Sequence, residues 1–83
     1  MNITGIVVNA SPGCADAVRH ALTGIVGVEV HAVTPEGRMV VTVERPDDRE
    51  VKEAFDAIGR VDGVLSTALI YHHDEPLDEE SNP

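Results

Sequence analysis

An internal repeat is the feature that most constrains the fold of this chain of 83 residues. When the sequence is shifted by 36 residues, a helix–glycine–strand passage of the first half falls on a similar passage of the second. The matched positions are Ala21-Leu22 with Ala57-Ile58, Gly27-Val28 with Gly63-Val64, and Ala32 with Ala68. The repeat indicates two βαβ-like halves, and a chain this short has room for only one small hydrophobic core. We therefore expect a single domain built from both halves.

Four segments have the Val and Ile content that is typical of β-strands, and glycine, proline or polar residues separate them. They span residues 3–9, 28–33, 38–44 and 64–72. The second segment alternates, with Val28, Val30 and Ala32 on one side of the strand. Thr34-Pro35-Glu36-Gly37 joins it to the third segment, and the proline and glycine of this turn favour a hairpin.

Two further segments have the spacing of amphipathic helices. The first begins after Ser11, a favourable N-cap residue, and has Pro12 at its first helical position. The second follows Asp47 and Glu50, which stand at capping-box spacing. The apolar stripes are Ala15, Val18, Leu22 and Ile25 in the first helix and Val51, Ala54, Phe55 and Ile58 in the second.

Two βαβ units with right-handed crossovers form a four-stranded antiparallel sheet in the spatial order 4-1-3-2, with both helices on one face. The predicted class is therefore α+β, and the predicted architecture is the ferredoxin-like βαββαβ fold over residues 1–73. Residues 74–83 are rich in acidic residues and too polar to pack against a core. We predict a disordered acidic tail there.

Because both helices cover one face of this sheet, the other face is open and is the place to expect a function. Thr42 and Asn9 mark the outward rows of their strands. The inward rows then contain Ile6, Val8, Val28, Val30, Met39, Val41, Val43, Leu65 and Leu69. The open face is predicted to contain Val7, Val33, Val40 and Ile70 at its centre, with Asn9, Glu29, His31, Thr42, Glu44, Ser66 and His72 around them. An apolar centre with a polar rim suits a partner-binding site, although a dimer interface and a plain solvated sheet have the same pattern.

The charge of the chain limits its partners. Fifteen acidic against six basic residues give a net charge of −9, which repels a phosphate backbone and disfavours nucleic acid. The N-terminus lacks the basic stretch of a signal peptide, and no apolar run approaches the roughly 20 residues of a membrane span. A single cysteine, Cys14, cannot form an internal disulfide. We therefore expect a cytoplasmic protein.

Groups suited to catalysis or metal binding are sparse in the sequence. His72 and His73 are the most suggestive pair, but adjacent residues of a strand point to opposite faces. The sequence has no recognisable nucleophile–base pair and no glycine-rich phosphate-binding loop. We predict no enzymatic activity, no metal site, no cofactor and no small-molecule substrate.

Four segments carry a resemblance to a known family. They are Gly5-Ile6-Val7-Val8-Asn9-Ala10, Gly27-Val28-Glu29-Val30-His31, Gly37-Arg38-Met39-Val40-Val41-Thr42-Val43-Glu44 and Gly63-Val64-Leu65-Ser66-Thr67-Ala68-Leu69-Ile70-Tyr71-His72-His73. Over residues 3–73 the chain resembles the NapD family, the cytoplasmic maturation chaperones of periplasmic nitrate reductase. The resemblance implies a protein that binds the twin-arginine signal peptide of the reductase catalytic subunit. It also implies that export is delayed until the molybdenum cofactor has been inserted. We expect such a peptide to lie on the open face as an amphipathic helix, with its apolar side on Val7, Val40 and Ile70. Its arginines are expected near Glu29, Glu44 or the acidic tail.

Two other functions are compatible with the same fold. One is a small-molecule-binding regulatory domain of the ACT kind, with its ligand at a dimer interface near Gly63-Val64. The other is a structural homodimer in which two open sheet faces cover each other. The first is usually fused to an enzyme or DNA-binding domain, and the second requires a stable dimer in solution.

Overall fold

The computed structural model describes residues 2–74 and has the predicted βαββαβ order of elements. The strands are β1 (Asn2–Ala10), β2 (Val28–Val33), β3 (Arg38–Arg45) and β4 (Val64–Asp74), and the helices are α1 (Ala15–Thr23) and α2 (Asp48–Gly59). Asp74, the first residue of the predicted tail, is the last residue of β4. The rest of that predicted tail, residues 75–83, lies outside the described residues.

The four strands form one antiparallel sheet in the order β2-β3-β1-β4. This is the predicted order 4-1-3-2 written from the opposite edge, so the ferredoxin-like fold is confirmed. The inner strands are β1 and β3, while β2 and β4 lie at the edges. The hairpin between β2 and β3 closes as predicted, with the amide of Gly37 donating to the carbonyl oxygen of Thr34 at 3.0 Å. Gly37 has a φ of 94°, a conformation that glycine adopts without strain.

The two helices begin differently. Ser11 precedes a short 3-10 turn, Pro12–Cys14, which leads into α1, and the Ser11 side chain makes no capping hydrogen bond. Asp47 is the N-cap of α2, and its Oδ1 accepts a hydrogen bond from the amide of Glu50 at 2.9 Å. The position of Ser11 was therefore predicted correctly but its capping role was wrong, whereas the cap of α2 is confirmed.

Asp47→Ala is expected to lower the free energy of unfolding by about 1 kcal/mol, because one amide at the start of α2 loses its acceptor. Urea denaturation followed by circular dichroism measures the change. Asp16→Ala is the matched control, since Asp16 is exposed in the first turn of α1 and is not an N-cap. An equal loss in both variants would mean that the cap of α2 has no specific effect.

The hydrophobic core lies between the helices and one face of the sheet. It contains Ile6, Val8, Ala10, Val18, Leu22, Met39, Val41, Val43, Ala54 and Ile58, with Val28, Val30 and Phe55 packed against it. Both predicted helical stripes thus contribute to the core. Leu65 is 70% exposed and Leu69 is 56% exposed, so their predicted burial in the core is wrong. Both belong to the edge strand β4, where the register is irregular.

Candidate functional site

The face of the sheet opposite the core has no helix against it in the part of the chain that the structure describes. Residues paired across neighbouring strands point to the same face of the sheet. The strand register therefore identifies the residues of this face as those that alternate with the core residues. We define the open face as Ile3, Gly5, Val7 and Asn9 of β1, Glu29, His31 and Ala32 of β2, Arg38, Val40, Thr42 and Glu44 of β3, and Ser66, Ala68 and Tyr71 of β4.

The centre of the open face is apolar. Val7 of β1 pairs with Val40 of β3 on one side and with Ala68 of β4 on the other. Val7 is half-buried, while Val40 is 39% exposed. These three side chains form a short apolar row across the inner strands and one edge strand, as predicted for Val7 and Val40.

Tyr71 extends this apolar surface over Gly5, its partner in β1. A methyl group added at Gly5 would overlap Cε2, Cδ2 and Cζ of the Tyr71 ring. Gly5 therefore leaves the space that the ring occupies, and Tyr71 still exposes 47% of its surface. The result is an aromatic ring lying over the open face beside Thr42, the other partner of Gly5.

Gly5→Ala is expected to displace the Tyr71 ring and to lower the free energy of unfolding by about 1 to 3 kcal/mol. Thermal or urea denaturation measures the loss, and tyrosine fluorescence reports the change at the ring, since Tyr71 is the only tyrosine. Gly59→Ala is the matched control, because nothing lies within 4 Å of the added methyl group there. A loss no greater in Gly5→Ala than in Gly59→Ala would contradict the packing of Tyr71 on Gly5.

The predicted position of His72 on the open face is wrong. Gly5 pairs with Tyr71 and Ile6 with Leu69, so Ile70 is an extra residue without a partner in β1. This β-bulge reverses the alternation beyond it and turns His72 to the helix-covered face. The bulge also leaves Ile70 in neither row, although its side chain is exposed.

On the helix-covered face, His72 joins β4 to the beginning of α2. Its Nδ1 lies 2.8 Å from Oγ1 of the fully buried Thr4, and its Nε2 lies 3.4 Å from Oδ1 of Asp48. Asn2 donates to the same Asp48 oxygen. These contacts give His72 a structural role at one end of an apolar cleft between α2 and β4 that includes Phe55 and Leu69.

A second bulge corrects the prediction for β2. Val30 pairs with Val41 and Ala32 with Val40, so His31 is the extra residue. Ala32 consequently lies opposite Val40 on the open face, and Val33 lies opposite the buried Met39 instead of on the open face as predicted. His31 still reaches the open face, where its Nε2 lies 2.7 Å from Oγ1 of Thr42.

Polar contacts cross the open face at the end where β3 begins. Arg38 Nε donates to Asn9 Oδ1 at 3.4 Å, and Asn9 Nδ2 donates to Ser66 Oγ at 3.1 Å. This chain of hydrogen bonds connects β3, β1 and β4. It places the predicted residues Asn9 and Ser66 side by side on the open face. Arg38, like Tyr71, was not among the predicted site residues, although its alternation with Val40 places it on the same side.

Carboxylates lie at the other end of the open face. Glu29 lies opposite Thr42, and Glu44 follows Thr42 by two residues on the same strand. Among the side chains that the structure describes, neither carboxylate forms an ion pair, whereas Arg45, Arg49 and Lys52 are paired with acidic residues of α2. Two exposed negative charges therefore remain for a partner to neutralise.

The described residues show no group of three or more His, Cys, Asp or Glu side chains placed to hold a metal ion. Cys14 is an exposed free thiol at the end of the 3-10 turn. No helix within the described part of the chain is long and apolar enough to cross a membrane. The open face thus has the geometry of an interaction surface, with an apolar centre, an aromatic ring and opposite charges at its two ends.

Comparisons with known proteins agree on the family. The family model described as NapD protein matches residues 1–76. The chain is 33% identical over 73 residues to Chaperone NapD of Escherichia coli K12, covering 88% of this chain and 69% of that protein. It is 34% identical over 80 residues to Chaperone NapD of Paracoccus pantotrophus, covering 95% and 70% of the two chains.

A solved structure supports the same assignment. The solution structure of the E. coli Tat proofreading chaperone protein NapD superposes with a TM-score of 0.80 at 27% sequence identity. The match covers 98% of this chain and 85% of the E. coli chain. The family match, the curated relatives and the shared fold together show that this chain belongs to the NapD family of chaperones.

Proposed function

We propose that this chain binds the twin-arginine signal peptide of the periplasmic nitrate reductase catalytic subunit. Binding takes place in the cytoplasm and holds back export until the molybdenum cofactor has been inserted. Membership of a chaperone family supports a protein partner. The description of the E. coli relative as a Tat proofreading chaperone supports a partner that uses twin-arginine export.

The observation that carries the proposal is the uncovered apolar centre of the open face beside unpaired carboxylates. A twin-arginine signal peptide has two arginines followed by an apolar stretch, so it offers the complementary pair of features. As an amphipathic helix it would place apolar side chains on Val7, Val40 and the ring of Tyr71. The guanidinium groups would lie near Glu29 and Glu44.

Tyr71 adds a second way to bind arginine. A guanidinium group stacks favourably on an aromatic face, and the Tyr71 ring lies over Gly5, next to Thr42 in the neighbouring strand. Thr42 and Asn9 provide neutral hydrogen-bonding groups at the centre and at the far end of the same surface. Of the remaining predicted site residues, Ile70 contributes exposed apolar surface, whereas His72 supports β4 from the opposite face.

The mechanism is sequestration, which requires no chemistry by the chaperone. A signal peptide bound to the open face is withheld from the export machinery in proportion to the bound fraction. Release follows when a stronger competitor takes the peptide or when the mature enzyme no longer favours the complex. Binding has to be reversible, because a peptide that never dissociated would never be exported.

Isothermal titration calorimetry with the signal peptide tests the proposal. Replacing both peptide arginines by glutamine is expected to weaken binding by about tenfold or more, since two charge-assisted contacts are lost. Binding of the native peptide should also weaken as salt is added, because the carboxylates are exposed. If neither the native nor the glutamine peptide binds, the proposed function is refuted. Equal affinity for both peptides would show that the chaperone does not recognise the arginines.

A further inference from the structure

We infer that the open face binds its peptide in a single direction, with the arginines near Glu29 and Glu44 and the apolar segment running toward Arg38. The inference rests on the proposed function and adds the orientation of the peptide on that surface. It follows from the distribution of charge along one strand.

The open-face residues of β3 change character steadily along the strand. They read Arg38, Val40, Thr42 and Glu44, from basic through apolar and neutral polar to acidic. Glu44 follows Arg38 by six positions, which is roughly 20 Å in an extended strand. Because β1 is antiparallel to β3, a peptide in the inferred direction runs parallel to β1.

The negative end contains two carboxylates on neighbouring strands. Glu29 lies opposite Thr42, so Glu29 and Glu44 are diagonal neighbours across the pair of strands, roughly 7 to 8 Å apart. Ile3, the partner of Glu44 in β1, is the adjacent apolar side chain. Neighbouring arginines diverge around a helix, but their long side chains can still reach two carboxylates that lie on different strands.

The positive end is held in place by hydrogen bonds. Arg38 donates to Asn9, which in turn donates to Ser66, so the guanidinium group is drawn over the face of the sheet. Glu36 of the hairpin turn lines a pocket together with Asn9, Thr34 and Arg38. No ion pair joins it to Arg38 among the side chains of the described residues. A peptide in the reverse direction would bring its arginines toward this unpaired cation.

The backbone of a helical peptide favours the same direction. The C-terminal end of a helix carries a partial negative charge of about half an elementary charge, which is attracted to Arg38. A helix that covers the roughly 20 Å between the charged ends has about 13 residues. That length accommodates the arginines at one end and several turns of apolar residues over Val40 and Val7.

Paramagnetic relaxation enhancement on the full chain tests the direction. Two synthetic signal peptides carry a nitroxide label on an added cysteine, one before the arginines and one after the apolar segment. The first label is expected to remove amide signals of Ile3, Glu29 and Glu44, and the second those of Asn9, Arg38 and Ser66. The opposite pattern, or equal loss at both ends from each label, would overturn the inference.

Two further results separate this inference from the proposed function. If calorimetry shows no binding of the unlabelled peptide, the proposed function fails. If the peptide binds but each label removes the amide signals of the end opposite to the one expected, only the inferred direction is refuted. The double variant Arg38→Glu with Glu44→Arg exchanges two exposed charges without changing the net charge. It is expected to reverse the pattern or to abolish the difference between the labels, and an unchanged pattern would contradict the electrostatic cause.

Discussion

Val40→Glu is expected to weaken signal-peptide binding by roughly 30-fold. Val40 lies at the centre of the open face beside Val7, and a peptide bound there would bury the surface that is now exposed. The substitution places a carboxylate under the apolar side of the peptide, where it loses water without gaining a partner. Calorimetric titration of the variant with the native peptide measures the loss.

Leu69→Glu is the matched control for this prediction. Leu69 belongs to the same sheet and is 56% exposed, but it lies on the helix-covered face beside Phe55. Removal of residues 75–83 is a second comparison and is expected to cost less than Val40→Glu, because screened charges contribute less than central apolar burial. Equal losses in Val40→Glu and either comparison would place the peptide site elsewhere.

Leu22→Ala is expected to lower the free energy of unfolding by about 2 to 5 kcal/mol, the largest stability effect among the predictions. Leu22 is fully buried, and Val18 is the only other buried residue of α1. A domain of this size has a free energy of unfolding near the lower end of the usual range of about 5 to 15 kcal/mol. The variant is therefore expected to have a much lower urea midpoint.

Leu65→Ala removes the same atoms from a side chain that is 70% exposed and is the control for Leu22→Ala. Its loss of stability should be within about 0.5 kcal/mol of zero, because little buried surface disappears. A comparable loss in both variants would mean that Leu65 contributes to the core. Urea denaturation of both variants under identical conditions decides between these outcomes.

The order of the elements and of the strands could be predicted from the sequence because local patterns and topology agree. The repeat of Gly27-Val28 and Gly63-Val64 marks two equivalent passages from helix to strand, and right-handed crossovers then allow one sheet order. The cap at Asp47 also follows from local spacing, since it depends on residues only three positions apart.

The faces of the edge strands could not be predicted completely. Strict alternation fails at His31 in β2 and at Leu65 and Ile70 in β4, because an extra residue at each of these positions exchanges the faces beyond it. A bulge depends on the twist of the sheet and on the partner strand, and it leaves no clear pattern in its own segment. Gly5 was the available signal for Tyr71, because a glycine inside a strand often marks the close approach of another group.

The bulges of β2 and β4 have a consequence for the protein at high concentration. All three extra residues, His31, Leu65 and Ile70, lie in the edge strands, and the inner strands carry none. An irregular edge offers a poor template for the strand of another molecule, so fibrils and edge-to-edge aggregates are disfavoured. A chaperone with an uncovered apolar sheet face is thereby protected at the two edges where sheets most readily grow.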